Sequence, residues 1–115
     1  MDYSQLVDLS PDGIFVSRDN AIVLVNRAAL RLFGAHTPDQ VIGQSPLRFF
    51  HPERHVHIRE QVRQLLIGKN VPAVEERLVS LDGTIRDVEI LGTVFEDPPD
   101  RAIQVIVRDI TERKR

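Results

Sequence analysis

The alternation of apolar and polar residues along the chain predicts a sheet of five β-strands. Most of the runs are short and rich in Val and Ile, and the longest sets Val88, Ile90 and Val94 on one face against Asp87 and Glu89 on the other. A period of two places one face of each strand against a core. The pattern predicts strands over residues 14–17, 21–25, 74–81, 84–95 and 102–110.

The residues between these runs predict antiparallel pairing. Arg18-Asp19-Asn20 has hairpin length between the first two strands, and Asp82-Gly83 is a preferred two-residue hairpin turn between the third and fourth. Residues 96–100 are polar, contain Pro98-Pro99 and predict a loop before the last strand. Because hairpins of this kind join neighbouring antiparallel strands, we expect an antiparallel sheet.

Helical patterns occupy the N-terminus and the middle of the chain. The main helix is predicted over residues 52–67, where Ile58, Val62 and Leu65 recur at i, i+4 and i+7 and Gly68 ends the helix. Strands and helices are segregated along the chain, which predicts an α+β domain with helices on one face of the sheet. Shorter helical segments are predicted over residues 3–9, 27–33, 37–43 and 45–50.

Composition narrows the functional classes. The chain has 115 residues, the size of one domain, and its formal net charge of −2 argues against nucleic acid or an anionic membrane as a partner. No apolar run is long enough to span a bilayer and no secretory leader is present, so we expect a soluble, cytoplasmic segment. Whether the parent protein is anchored to a membrane is left open by this sequence. The absence of cysteine excludes disulfides and thiolate chemistry.

No catalytic constellation is readable in the sequence. An active site needs a nucleophile, a positioned base and a group that stabilises developing charge, and no such set stands out. The acidic pairs, such as Glu75-Glu76, have the pattern of a solvated strand face. We therefore expect this chain to be a binding module and not an enzyme, with no metal site.

The last eight residues, 108–115, combine the end of a strand with the start of a charged helix. Thr111 has the character of an N-cap, because its hydroxyl can accept from free backbone N–H groups, and Glu112 suits the positive end of the helix dipole. A helix this short and polar frays when it stands alone. The pattern indicates a linker that continues into a further element.

Several motifs along the chain stand in the order and at the spacing of one known family. These are Ser10-Pro11-Asp12-Gly13-Ile14, Asn26 after the second strand, His51-Pro52-Glu53 before the long helix, Leu81-Asp82-Gly83-Thr84 at the hairpin and Arg108-Asp109-Ile110-Thr111-Glu112-Arg113 at the end. In these motifs, which span nearly the whole sequence, the chain resembles a PAS domain, the small sensor module of bacterial signalling proteins.

The resemblance implies a five-stranded antiparallel sheet in the order 2-1-5-4-3 and a pocket between its inner face and the helices. It also implies that Asp109 and Thr111 lock the joint between the last strand and a linker helix that drives an output domain, commonly a histidine kinase or a cyclic-di-nucleotide enzyme. On this basis we expect residues 1–10 to form an N-terminal cap segment, 11–110 the PAS core and 111–115 the start of the linker.

Apolar residues that face the sheet's inner side are candidates to line the pocket. A ligand pocket and a close-packed core have the same composition, so both remain open. The candidate lining residues are Phe15, Val25, Leu30, Phe33, Ile42, Phe49, His55, Ile58, Val62, Val88, Ile90, Val105 and Val107.

The identity of any cofactor is left unknown by the sequence, with none as the main expectation. In haem-binding members of the family a histidine on the long helix ligates iron, and the helical phase makes His55 the first candidate and His57 the second. The adduct-forming cysteine of the flavin-based light sensors is missing, because Asn26 is followed by Arg27-Ala28. The chain also has no tryptophan, which commonly lines flavin pockets.

Two functions remain open. The first is a sensor whose core pocket binds a small ligand and passes the change through the Asp109-Ile110-Thr111 joint, with a haem-based gas sensor as a variant of it. The second is a ligand-free module that dimerises and sets the register of the linker. Leu6, Val7 and Leu9 favour a homodimer in either case, because an apolar N-terminal segment needs a surface to cover it.

Overall fold

The structure is a computed structural model that describes residues 2–114. Five strands form one antiparallel sheet in the order β2-β1-β5-β4-β3, as the resemblance implied. The strands are β1 Gly13–Arg18, β2 Ala21–Val25, β3 Val74–Val79, β4 Ile85–Asp97 and β5 Asp100–Asp109. The helices are α1 Tyr3–Asp8, α2 Arg27–Phe33, α3 His55–Leu66 and α4 Thr111–Lys114.

Three single-turn 3₁₀ helices fill the segment between α2 and α3. They are Pro38–Gln40, Pro46–Phe49 and Pro52–Arg54, and each begins with the proline that the sequence placed at a helix start. The main helix predicted over residues 52–67 therefore divides into a 3₁₀ turn and α3. Tight turns of this type are typical of helix N-termini and connectors.

The core lies between the inner face of the sheet and α2, α3 and the 3₁₀ segment. Phe33 and Phe49 stack with ring centroids 4.2 Å apart, and Phe15 of β1 contacts Phe33 at 5.8 Å. All three rings are buried, and aromatic pairs at these separations add to the free energy of burial. The helices are thus fixed to the sheet by an aromatic cluster at the β1 end.

Two connections between strands differ from the predicted ones. The β3–β4 turn has three residues and not two, because Gly83 N–H donates to Ser80 O at 2.9 Å and Ser80 N–H to Thr84 O at 2.8 Å. Gly83, with φ +87°, follows a turn as the left-handed residue of a bulged hairpin. The predicted loop over residues 96–100 shrinks to Pro98-Pro99, because β4 and β5 pair as far as Asp97 and Asp100.

Ile42, a residue predicted to line the pocket, faces solvent. Ile42 is exposed, and its neighbour Val41 is buried in its place. The reason is that residues 38–40 form a 3₁₀ turn after which Val41 N–H and Ile42 N–H both donate to Pro38 O. The turn directs the Val41 side chain inward and that of Ile42 outward.

Asn26 connects α1, β1 and α2 at one buried point. Its Oδ1 accepts from Ile14 N–H at 2.8 Å and from Ala29 N–H at 2.9 Å, and its Nδ2 donates to Val7 O at 2.7 Å and to Asp12 O at 3.0 Å. The side chain is fully buried. The bond from Ala29 N–H caps α2, and the other three bonds fix α1 and the start of β1.

Candidate functional site

A cavity of about 70 Å³ lies between the inner face of the sheet and α3. Five of the residues predicted to line a pocket do line it: Phe15, Ile58, Val62, Ile90 and Val105. The apolar contact surface is completed by residues that the prediction did not include, namely Pro46, Phe50, Leu65, Val71, Pro72, Val74, Gly92 and Ile103. The cavity is thus lined by only some of the residues that the sequence predicted.

The other predicted lining residues have different places. Phe33, Phe49, Val88 and Val107 belong to the close-packed core, and Val25 and Leu30 pack against it. Ile42 is exposed, for the reason given above. Core packing and pocket lining were indistinguishable in the sequence, because both need apolar side chains on the same faces.

The histidines do not line the cavity. His55 was expected to approach it, but its Nε2 lies 2.9 Å from Phe50 O, which holds the ring at the start of α3. His57 is exposed. Among residues 2–114 no group of three or more His, Cys, Asp or Glu is arranged to hold a metal ion.

A haem or flavin does not fit this cavity. An apolar cavity of roughly 150 Å³ accommodates benzene, and the cavity here has about 70 Å³. Both cofactors are far larger than benzene, and no histidine is available at its wall. The lining residues therefore suit a small molecule.

Ser17 and Gln61 are polar residues of the cavity wall that the sequence analysis missed. Ser17 is two residues after Phe15 on β1, so the period-two alternation that identified Phe15 could also have found Ser17. Gln61 lies three residues after Ile58 on α3, on the same side of the helix. Periodicity places both positions on the inner side, but the predicted lining residues were mainly apolar.

The joint predicted at Asp109 and Thr111 is formed in the structure. Asp109 Oδ1 accepts from Thr111 N–H at 2.9 Å and from Thr111 Oγ1 at 2.5 Å, and Arg86 lies 3.9 Å from the other carboxylate oxygen. Partial burial acts to raise the pKa of Asp109, but the two bonds from Thr111, with Arg86, outweigh it and hold that pKa below its usual range. The carboxylate is therefore ionised at neutral pH.

The predicted cap at Thr111 takes a different form. Thr111 is the first helical residue of α4, and its hydroxyl donates to Asp109 and does not accept from the helix. The acceptor that satisfies the free N–H of Thr111 is the carboxylate two residues earlier. Next to it, Ile110 is buried and its N–H donates to Asp87 O at 3.0 Å, which ties the joint to β4.

Ion pairs hold α4 against β3 and β4. Arg113 lies 3.2 Å from Glu75 and 3.5 Å from Glu89, and Lys114 lies 2.8 Å from Glu75. A hydrogen bond from Lys114 is the largest cause of a lowered pKa at Glu75. These pairs contact the segment that the sequence predicted to fray; Arg115, the last residue of the predicted linker, lies outside the described residues.

A second polar cluster joins α3 to the sheet from the opposite side of β3. Arg54 donates to both carboxylate oxygens of Glu76, Nε and Nη2 each at 2.9 Å, and Glu76 is buried. This pair raises the pKa of Arg54. Successive glutamates of β3 thus bind different helices: Glu75 binds α4, and Glu76 binds the turn before α3.

The sheet order, the helical cover on one face and the strand-to-helix joint define a small α+β sensory-type domain. The PAS fold family model matches residues 1–110, so the chain belongs to the PAS family. As a PAS domain it is a sensory module and not a catalytic one. Among residues 2–114 no helix is both long and apolar enough to cross a membrane.

Known proteins similar to this chain include a sporulation kinase and solved PAS domains. Sporulation kinase A of Bacillus subtilis is 30% identical over 99% of this chain, which spans 19% of that protein's length. A solved PAS domain from a two-component sensor histidine kinase is 27% identical, with a TM-score of 0.77 over 92% of this chain and 91% of that one. A PAS domain from Colwellia psychrerythraea is 25% identical, with a TM-score of 0.84 over 96% of this chain and 95% of that one.

Proposed function

We propose that this PAS domain senses a small ligand in its core cavity and passes the change through the Asp109-Ile110-Thr111 joint to a C-terminal output domain. Similarity to the PAS domain of a histidine kinase favours a kinase as that output domain over a cyclic-di-nucleotide enzyme. The observation that carries the proposal is the joint itself. Its carboxylate is bonded on one side to the linker helix and lies on the other beside Arg86 of the sheet.

The path from cavity to joint runs along the sheet. Ile90 and Gly92 of β4 line the cavity, and on the same strand Asp87 accepts from Ile110 N–H. β4 also pairs with β5 from Val88–Asp109 onward. A ligand that displaces β4 at the cavity therefore acts on the strand that holds the joint. It would shift the equilibrium between α4 docked on the sheet and α4 released from it.

Replacement of Asp109 tests this role in the full-length parent protein. Asp109→Ala removes the acceptor for Thr111 and should change output activity, while the isolated domain loses only about 1 kcal/mol of stability, the scale of one cap. Asp100→Ala is a matched control, because Asp100 is exposed at the other end of β5. Regulation that is unchanged in Asp109→Ala, measured as output activity with and without the natural signal, would rule out the coupling role.

Native mass spectrometry and an absorption spectrum of the purified domain test the sensing part. A retained small molecule supports it. A colourless, ligand-free protein whose melting temperature does not respond to a panel of metabolites removes the sensing function for the compounds tested.

Dimerisation is the second candidate function, and the outer face of the sheet supports it. In α1, Val7 is buried, whereas Leu6 is 56% exposed and Leu9, just after it, is 71% exposed. Leu91 and Phe95 add exposed apolar surface on β4. An isologous homodimer through this N-terminal segment would cover that surface.

Analytical ultracentrifugation distinguishes this function. We expect a dimer that Leu6→Asp weakens and that Ile67→Asp, at the end of α3, leaves intact. A monomer at all concentrations would exclude a dimerisation module. Haem sensing is not part of the proposal, because neither His55 nor His57 reaches the cavity.

A further inference from the structure

Two polar side chains of the cavity wall have no hydrogen-bond partner within residues 2–114. Ser17 is only 9% exposed, yet its hydroxyl forms no bond, and the Gln61 amide, half-buried on α3, forms none either. Both side chains reach solvent-accessible space, because Arg86 Nε is the buried side-chain atom without a partner among the described residues. The two groups can therefore bond a molecule that enters the cavity.

The rest of the wall is apolar, which limits what a water could do there. The lining residues other than Ser17 and Gln61 are apolar or glycine, among them Phe15, Phe50, Ile58, Leu65 and Ile103. An ordered water needs two to four polar partners. Ser17 and Gln61 are the polar side chains that the described residues supply to this wall, so a water bonded to them would leave the remaining apolar volume without a partner.

We propose that the cavity binds a small amphiphile with a short aliphatic tail and one uncharged hydrogen-bonding head, an alcohol or a primary amide. The head bonds to Ser17 and Gln61, and the tail fills the apolar part. The tail is smaller than benzene, because roughly 150 Å³ accommodates benzene and about 70 Å³ is present. This assignment rests on the proposed sensor function and names its ligand class.

The charges around the cavity are the reason for an uncharged head. No Asp, Glu, Lys or Arg of the described chain lines it. An adjoining groove shares Ser17 with the cavity and is lined by Arg18, Arg59 and Arg101.

These arginines do not leave a net positive site. Arg18 pairs with Asp97 at 2.5 Å and Arg101 with Glu96 at 3.3 Å. Arg59 remains, and Asp19 of opposite charge lines the same groove. A charged head in the cavity would lose its hydration without gaining a partner, which is costly.

Gly92 shows how closely the tail space is bounded. A Cβ built on Gly92 would lie 2.9 Å from Leu65 Cδ1 and 3.6 Å from Ile103 Cγ2. Leu65 thus packs directly over Gly92, and an added methyl group must displace the Leu65 side chain, which itself lines the cavity. Gly92→Ala therefore removes tail space at the wall of the cavity without touching Ser17 or Gln61.

Methyl NMR titration of the 115-residue chain with n-butanol, butyramide, butyrate and xenon tests the assignment. We expect n-butanol and butyramide to shift the methyl groups of Ile58, Leu65 and Ile103. Ser17→Ala should weaken n-butanol about tenfold, the effect of one lost hydrogen bond, and leave xenon unchanged because xenon accepts none. Gly92→Ala should weaken all ligands that enter, and the exposed Ser4→Ala should weaken none.

The possible results separate this proposal from the sensor function. Butyrate binding as tightly as n-butanol refutes the uncharged head and leaves ligand sensing intact. An equal loss of xenon and n-butanol in Ser17→Ala means that the serine only shapes the wall, which refutes its hydrogen-bonding role. If Ser17→Ala does not fold, Gln61→Met gives the same comparison. No binding by any of these compounds refutes the amphiphile, whereas the sensor function is judged by Asp109→Ala in the full-length protein.

Discussion

Replacement of Asn26 by alanine should destabilise this domain more than any other change of a single polar side chain discussed here. The substitution removes the acceptor for two buried backbone donors, Ile14 N–H and Ala29 N–H. It also removes the donor to Val7 O and Asp12 O. Because the site is fully buried, water cannot replace these bonds without entering the core.

The magnitude follows from the two orphaned N–H groups. A buried donor without a partner costs about 1–3 kcal/mol, so the pair costs about 4 kcal/mol. Domains of this size are stable by only about 5–15 kcal/mol. With a urea m-value of about 1–2 kcal/mol/M, the unfolding midpoint should fall by at least about 2 M.

Urea unfolding followed by circular dichroism measures this loss, with Asn70→Ala as the control, because Asn70 lies exposed in the loop between α3 and β3. Asn26→Asp adds a second readout. It keeps the acceptors but places carboxylate oxygen against two carbonyls, so the pKa of the new Asp is raised and stability should recover as the pH falls. A loss below about 1 kcal/mol in Asn26→Ala would refute the reasoning, because it would mean that solvent replaces the four bonds.

Two further predictions concern the charged contacts of β3 and the joint. Arg54→Met leaves the buried Glu76 carboxylate without its bidentate partner and should cost about 2 kcal/mol in urea unfolding, discounted because Arg54 is partly exposed; Arg54→Met with Glu76→Leu should recover most of it. The lowered pKa values of Asp109 and Glu75 mean that their contacts stabilise the folded state above the unfolded pKa values of about 4 and are lost as the pH falls through the folded values. The protection factors of the α4 amides, which compare each exchange rate with the intrinsic rate at the same pH, should therefore be unchanged from pH 7 to 5 and fall at lower pH. A fall already between pH 7 and 5 would contradict this assignment.

Much of the fold was predictable because its signals are local. The strands 14–17 and 21–25 were placed within a residue or so of β1 and β2, since alternation and hairpin residues act over a few positions. The predicted 96–100 loop was wrong for the opposite reason. Pairing of β4 with β5 extends both strands up to Pro98-Pro99, and the free energy for this comes from the partner strand and not from local preference.

The candidate site was harder to predict than the fold. His55 has the helical phase of a pocket residue, but its ring lies within hydrogen-bonding distance of the Phe50 carbonyl and so does not line the cavity. Ile42 and Val41 are equivalent in composition, and the 3₁₀ turn before them decides which one is buried. The direction of such a side chain depends on the geometry of a single backbone turn. The hydrophobic period of a whole helix does not predict that geometry.

The sequence by itself determined the α+β class and the positions of the strands and main helix, because periodicity, capping and turn chemistry are properties of neighbouring residues. The pairing of Asp109 with Thr111 was expected from the family resemblance and not from these local patterns. Only the tertiary structure decided which apolar residues pack and which border a cavity, and that Ser17 and Gln61 both line it. It also decided that Glu75 and Glu76 bind different helices. These outcomes depend on contacts between residues far apart in the sequence. Burial then determines how much free energy a polar group costs when it has no partner.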